Sequence, residues 1–217
     1  MDIAASSLPP DRIYKLLVST VMPRPIALVS TLNADGGLNA APFSFFNVFS
    51  NAPPLLIIGI EGSKRDDGKP HKDTARNILE RGEFVVNLVS HDMALPMVAS
   101  AIDFPEGVSE FTEAGFTPRY SRQIAVPGIA ESPVSFECRL FNTVSLPFNR
   151  TLVTGEILHL HIADNAIDDN LHVDPDALDL IGRMHGAGWY TRTRDRFEIP
   201  RMSPDEWRVK NRQITRK

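Results

Sequence analysis

The chain has 217 residues, 42% of them hydrophobic, enough to bury a sizeable core within one large domain. Its formal net charge of -4, with acidic and basic residues interspersed, lacks the basic footprint that nucleic-acid binding requires. A single cysteine, Cys138, excludes an internal disulfide and any multi-cysteine zinc or iron–sulfur centre, and it points to a reducing compartment.

In chain order, "DRIYKLLVSTVM" sets Ile13, Leu16, Leu17 and Thr20 at helical spacing, with Asp11 as the expected cap. Two prolines in "MPRPIALVSTLN" forbid helix, and a β-branched run then leads into "ADGG", whose glycines suit a hairpin turn. "NAAPFSFFNVFSNAPP" is expected as the return strand. "PPLLIIGIE" is a continuous apolar run bounded by proline and a polar loop, the pattern of a buried strand. "KDTARNILERGEF" predicts a helix capped by Asp73 or Thr74, with Ala75, Ile78 and Leu79 on one face and Gly82 as its stop.

"EFVVNLV" resumes strand, "HDMALPMVASAI" is a helix with Pro96 in its first turns, and residues 103–122 form a long irregular excursion. "PVSFECRL" turns Val134, Phe136, Cys138 and Leu140 one way and Ser135, Glu137 and Arg139 the other, as in a half-buried antiparallel strand. "TLVTGEILHLHIAD" alternates Leu158, Leu160 and Ile162 against Ile157, His159 and His161. Many strands, hairpin turns and a few short helices predict a mainly β protein, a barrel with helical insertions. One domain is expected over 1–217, its core about 13–200, followed by a short polar tail carrying Arg208, Lys210, Arg212, Arg216 and Lys217. The longest apolar run, "PLLIIGI", is too short to cross a bilayer, so a soluble, cytoplasmic protein without membrane or nucleic-acid partners is expected.

Chemistry concentrates in a few places. Ser63, Lys64, Lys69 and Lys72 form a basic loop that runs into a helix start at Asp73 and Thr74, where unpaired N–H groups and the helix dipole favour an anion such as phosphate. The other reading is an ordinary Asp73 cap beside solvated lysines. His71 neighbours this loop. His159 and His161 share a strand face and could act as a metal pair, but no third ligand stands at a telling spacing, which favours a structural or surface role. In "GRMHGAGWYTR", Gly186 and Gly188 permit close backbone approach while Trp189 and Tyr190 offer stacking faces, although a plain turn and strand fits equally. Rossmann, P-loop, nucleophile-elbow and H-E-x-x-H motifs are all missing, and Cys138 falls on a core face rather than in a nucleophile's setting.

The ordered combination "RPIALVSTLNADGGLNAAPFSFFNVFSNAPP", "KDTARNI", "EFVVNL" and "GRMHGAGWYTR" resembles the flavin reductase-like family of FMN-binding split β-barrels. Ala52 stands where many members carry aspartate before the proline pair, and His185 where glycine is frequent. The resemblance implies a homodimer that binds FMN near the subunit interface. It places Ser44, Asn47 and Ser50 at the ring edge or ribityl chain, Lys72, Asp73 and Thr74 at the phosphate, and Arg24 and His185 as further contacts. It implies hydride transfer from NADH or NADPH to the flavin, with reduced flavin passed to an oxygenase or another acceptor; a non-enzymatic FMN electron carrier of the flavoredoxin type is the alternative. Arg119, Arg122 and Arg183 are the arginines that could meet an NADPH phosphate. A carboxylate substituted at Thr74 is expected to repel FMN without touching the core.

Overall fold

The structure is a computed structural model and describes residues 1–63, 71–105 and 108–208. Lys64, Lys69, Lys210, Arg212, Arg216 and Lys217 lie outside the described residues. Helix α1 spans Pro10–Thr20; β1 (Ala27–Leu32) and β2 (Leu38–Phe43) make the first hairpin, and β3 (Phe46–Asn51) and β4 (Pro54–Ile60) the second. Helix α2 (Asp73–Arg81), β5 (Glu83–Leu88), α3 (Ala94–Ala99), α4 (Glu110–Glu113), β6 (Pro118–Arg119) and β7 (Gly128–Ile129) follow. Two 13-residue strands, β8 (Val134–Leu146) and β9 (Arg150–Ile162), then precede α5 (Pro175–Leu178), β10 (Ile181–Arg183) and β11 (Tyr190–Arg192).

The principal sheet is antiparallel, in the order β2-β1-β5-β8-β9-β4-β3. Its two edge strands, β2 and β3, are consecutive in the chain, separated only by Ser44 and Phe45. That link curls the sheet into a barrel and corrects the expectation of one return strand through residues 39–54. Phe45 makes the corner: its carbonyl accepts from Gly59 N at 2.7 Å, and a Cβ on Gly59 would sit 3.2 Å from the Phe45 Cβ. Register shifts in β8/β9 add curvature to the long hairpin.

The barrel interior is filled by Val29, Phe43, Leu56, Ile58, Phe84, Val86, Cys138 and Val153, with Ala75 and Ile78 of α2 joining them. A second apolar layer, including Leu28, Ala40, Met93, Met97, Phe111 and Ile129, lies where α3 and α4 cover the outside of the sheet. β1 is therefore buried on both faces, Val29 inward and Leu28 outward. Gly155 admits the Phe84 ring, which would stand 2.4 Å from a Cβ at that position.

Several expectations require correction. In α1 only Val18 is buried; Leu16 and Leu17 are exposed, and the N-cap is Pro9 with no side-chain bond, so Asp11 does not cap. In α2 Asn77 is buried, as is Thr74, while apolar Leu79 is exposed, because Asn77 Nδ2 donates inward to Thr31 Oγ1 at 3.0 Å and to Asn33 Oδ1 at 2.8 Å. Ser135 and Glu137 are fully buried rather than solvent-facing. The end of the 103–122 excursion covers Glu137: Arg122 and the next residue, Gln123, donate backbone N–H groups to it, and Ser135 donates to Asn87 Oδ1. In β9 the register passes from Glu137↔His159 to Cys138↔Ile157 and skips Leu158. Ile157 consequently packs on the barrel interior, while Leu160 is half-exposed.

Candidate functional site

Among the described residues helix α2 begins without a side-chain cap: Lys72 is the N-cap residue and makes no capping bond, so neither Asp73 nor Thr74 stands at the expected cap position. Asp73 instead pairs with Arg76 at 2.6 Å. Around this helix start lies a pocket of about 180 Å³ walled by Asn39, Ala41, His71, Lys72, Thr74 and Ser100 among others. The first amides of an α-helix lack internal partners and carry its positive dipole end, so an uncapped start beside a pocket suits an anion. Asp73, Asp103 and Glu110 also line the wall, so the electrostatics are mixed and backbone N–H groups set the preference.

Thr74 is anchored from behind. Thr31, on β1, is paired in register with Asn39 on β2, and Asn39 Nδ2 donates to both Thr31 Oγ1 and Thr74 Oγ1, each at 3.1 Å. A Thr74 hydroxyl that accepts from Asn39 keeps its own proton to donate. At 2% exposure Thr74 is part of the packed structure, so a glutamate there would strain the core as well as repel an anion, contrary to expectation. Among the described residues, His71 Nδ1, in the pocket wall, and Arg76 NH1 are buried without hydrogen-bond partners. Orphaned polar atoms are costly and mark places where a ligand can complete the bonding.

A second chamber of about 260 Å³ adjoins the first, sharing Pro42, Phe43 and Ala101 with it. Its remaining walls include Ile26, Ser44, Met97, Arg183, Ala187 and Tyr190. Arg183 bonds the carbonyls of Gly186 (3.1 Å) and Ala187 (2.7 Å) through NH2 and stacks its guanidinium 4.6 Å from the Tyr190 ring centroid, while its NH1 is buried without a partner. Beyond it the rings of His185 and Trp189 lie parallel within 12°, centroids 6.1 Å apart, both exposed. Gly186, at φ +67°, makes the turn between them.

Arg24 has a structural occupation. Its guanidinium donates to Val18 O (2.6 Å), Val21 O (3.0 Å), Met184 O (3.2 Å) and Ser44 Oγ (3.3 Å), joining the end of α1, the 184–189 loop and the β2–β3 corner. Burial pulls its pKa below the usual arginine value, and neighbouring Arg183 acts in the same direction. The candidate residues thus separate: Ser44, Lys72, Asp73 and Thr74 line the two chambers, Arg24 supports Ser44, and His185 stands just outside. Asn47 and Ser50 lie on β3, where each side chain accepts a neighbouring backbone N–H, and neither lines the groove. Asn39 and the 100–103 segment were missed; the "ADGG" hairpin register, which sets Thr31 opposite Asn39, could have revealed the first.

Away from the groove, Glu137 Oε1 accepts from Arg122 N (2.7 Å) and meets His161 Nε2 (2.6 Å), and Oε2 accepts from Gln123 N (2.7 Å). Burial pushes this carboxyl up, but these hydrogen bonds outweigh it and hold the group below the usual carboxylate range. Cys138 faces the barrel interior and burial pushes its thiol up, which removes it as a nucleophile.

A closed antiparallel sheet whose edge strands join at one corner, with a groove running from a helix start to an arginine–aromatic loop, defines a split β-barrel. The chain belongs to the flavin reductase like domain family, whose model matches residues 18–197. A 2-nitrobenzoate 2-nitroreductase from Pseudomonas fluorescens is 38% identical in sequence, with a TM-score of 0.85 over 94% of this chain and 98% of that one. Nitrilotriacetate monooxygenase component B from Bacillus cereus is 30% identical, with a TM-score of 0.84 over 92% of this chain and 98% of that one. A protein with a split barrel domain from Shewanella frigidimarina shares the fold at 21% identity, with a TM-score of 0.79 over 93% of this chain and all (100%) of that one.

Proposed function

We propose that the protein is an NAD(P)H-dependent flavin oxidoreductase that holds FMN along the two-chamber groove and delivers reduced flavin to an acceptor. The observation that carries this reading is the uncapped start of α2 at one end of a groove whose other end is walled by Arg183 and Tyr190. The residues present fit FMN: the α2 amides, the Thr74 hydroxyl and Lys72 suit the phosphate, while the unpartnered Arg183 NH1 and Ser44 suit polar ring atoms. When bound, FMN supplies the hydride-accepting N5.

The protein's own part is positional. Arg24 fixes Ser44 and the carbonyl of Met184, and Arg183 draws Gly186 and Ala187 inward, so the groove is shaped before a ligand arrives. His185 and Trp189 then offer exposed flat faces to a nicotinamide ring at the outer side. A homodimer is part of the proposal. Exposed Tyr14, Leu17, Val48, Phe49, Phe141 and Val144 offer apolar surface for a second subunit to cover, and β3, with Asn47 and Ser50, carries part of it. The likeness to a monooxygenase component supports an oxygenase as acceptor, and the likeness to a nitroreductase supports direct reduction of a planar aromatic compound as the second reading.

The test is the visible spectrum of the purified protein, chromatography of any chromophore released, and NADH and NADPH oxidation with FMN measured against free flavin. Released or rebound FMN with oxidation above background supports the reductase; FMN binding with no nicotinamide oxidation would replace it with an electron carrier. Failure to bind FMN would overturn both.

A further inference from the structure

We propose that Glu137, His159 and His161 form a binding site for a divalent transition metal of the zinc type, separate from the flavin groove. His159 and His161 sit two residues apart on β9 and share a face, and the register places Glu137 on β8 directly across from His159. The ligand atoms of all three lie within 4.8 Å of one another. The imidazoles are edge to face with centroids 4.8 Å apart, and His161 Nε2 already touches Glu137 Oε1 at 2.6 Å.

Metal bonds of about 2.0–2.2 Å in a tetrahedron require ligand atoms about 3.3 Å apart. The arrangement therefore needs the Glu137–His161 contact to open by less than about 1 Å and the partly exposed His159 to swing inward by about 1.5 Å. A metal at this place would sit between His161 Nε2 and Glu137 Oε1, replacing their direct contact, with the imidazole N–H carried on Nδ1.

The carboxylate's surroundings resemble a second shell built in advance. Glu137 is fully buried, and two backbone N–H groups, from Arg122 and Gln123, fix its orientation, as hydrogen bonds to metal ligands commonly do. Its bond to Gln123 leaves an unused lone pair on Oε2, which gives the carboxylate a second way to meet a cation. The nearby charge of opposite effect is Arg119, which interacts electrostatically with Glu137. Two imidazoles and a single carboxylate disfavour calcium and magnesium, which depend on several carboxylate oxygens, and suit ions that bond well to neutral imidazole: zinc, cobalt, nickel or copper.

Two histidines and one carboxylate leave one tetrahedral position for water. The three ligands share no residue with either chamber of the groove, so the ion would act by joining β8, β9 and the Arg122–Gln123 segment rather than in flavin chemistry. The site escapes sequence inspection because Glu137 lies 22 and 24 residues before its partners, across a hairpin whose register skips Leu158.

The test is titration of chelator-treated, FMN-loaded protein with Co²⁺, read at wavelengths beyond the flavin bands, then displacement by Zn²⁺ and melting with and without Zn²⁺. One equivalent of Co²⁺ should give a tetrahedral visible band that Zn²⁺ abolishes, and Zn²⁺ should raise the melting temperature. His159→Gln should weaken binding by about 10–100-fold. His159 is partly exposed and makes no side-chain hydrogen bond among the described residues, so this variant should melt like the parent when metal is absent and keep its FMN spectrum. Absence of both the Co²⁺ band and the Zn²⁺-dependent melting shift would overturn the proposal, as would unchanged affinity in His159→Gln.

Discussion

Two buried polar regions flank the same sheet and are finished differently. Around Asn87 every bond is internal: Nδ2 donates to Leu28 O and Ser30 Oγ, and Oδ1 accepts from Ile129 N and Ser135 Oγ. Around Thr74 the network is equally tight behind the helix, through Asn39, Thr31 and Asn77, but in front, among the described residues, no side chain caps the helix start and His71 Nδ1 has no partner. Since an unmet buried polar atom costs about 1–3 kcal/mol, the first region reads as structure and the second as a place reserved for a ligand.

The comparison can be broken most forcefully at its closed side. Asn87→Leu leaves Ile129 N–H and the Ser135 hydroxyl without their acceptor and removes the donor to Leu28 O and Ser30 Oγ, and should cost about 3–5 kcal/mol, seen as a fall of roughly 10 °C in melting temperature. FMN affinity of the remaining folded protein should be unchanged. Gly155→Ala, which drives a methyl into the Phe84 ring, should cost about 1–3 kcal/mol by the same assay and likewise spare the groove. On the open side the signs exchange. Lys72→Glu should lower FMN affinity by about 10–100-fold in a binding titration while shifting stability by less than about 0.5 kcal/mol. The smallest effect is expected at Trp189, which is 66% exposed: Trp189→Ala should raise the nicotinamide KM by roughly threefold, under about 1 kcal/mol, with no change in melting.

Much of the architecture was legible because its signals are local. Gly82 does end α2, in the left-handed conformation at φ +72°, and the "PLLIIGI" run is β4. The β2–β3 corner was hidden because nothing in "PFSFFN" breaks a strand; the bend is imposed by closure against Gly59. The burial of Ser135 and Glu137 was hidden for a similar reason: irregular chain covers Glu137 and satisfies it through backbone N–H groups that carry no side-chain signature, and Ser135 bonds to Asn87 on the neighbouring strand. For the site, "KDT" announces a helix start in the sequence, but whether that start is capped is a matter of geometry. Arg24 shows the limit of motif reading: the resemblance marked it as a further FMN contact, while its bonds to Ser44 and to three carbonyls came only with the fold.

The central claim is that the open region receives a phosphate, and paired titrations of FMN and riboflavin test it most directly, since the two ligands differ only by that group. The account predicts that FMN binds about 100-fold more tightly, roughly 2.7 kcal/mol, and that Lys72→Glu removes most of the difference. Equal affinities for the two ligands would contradict it and detach the uncapped helix start from flavin binding.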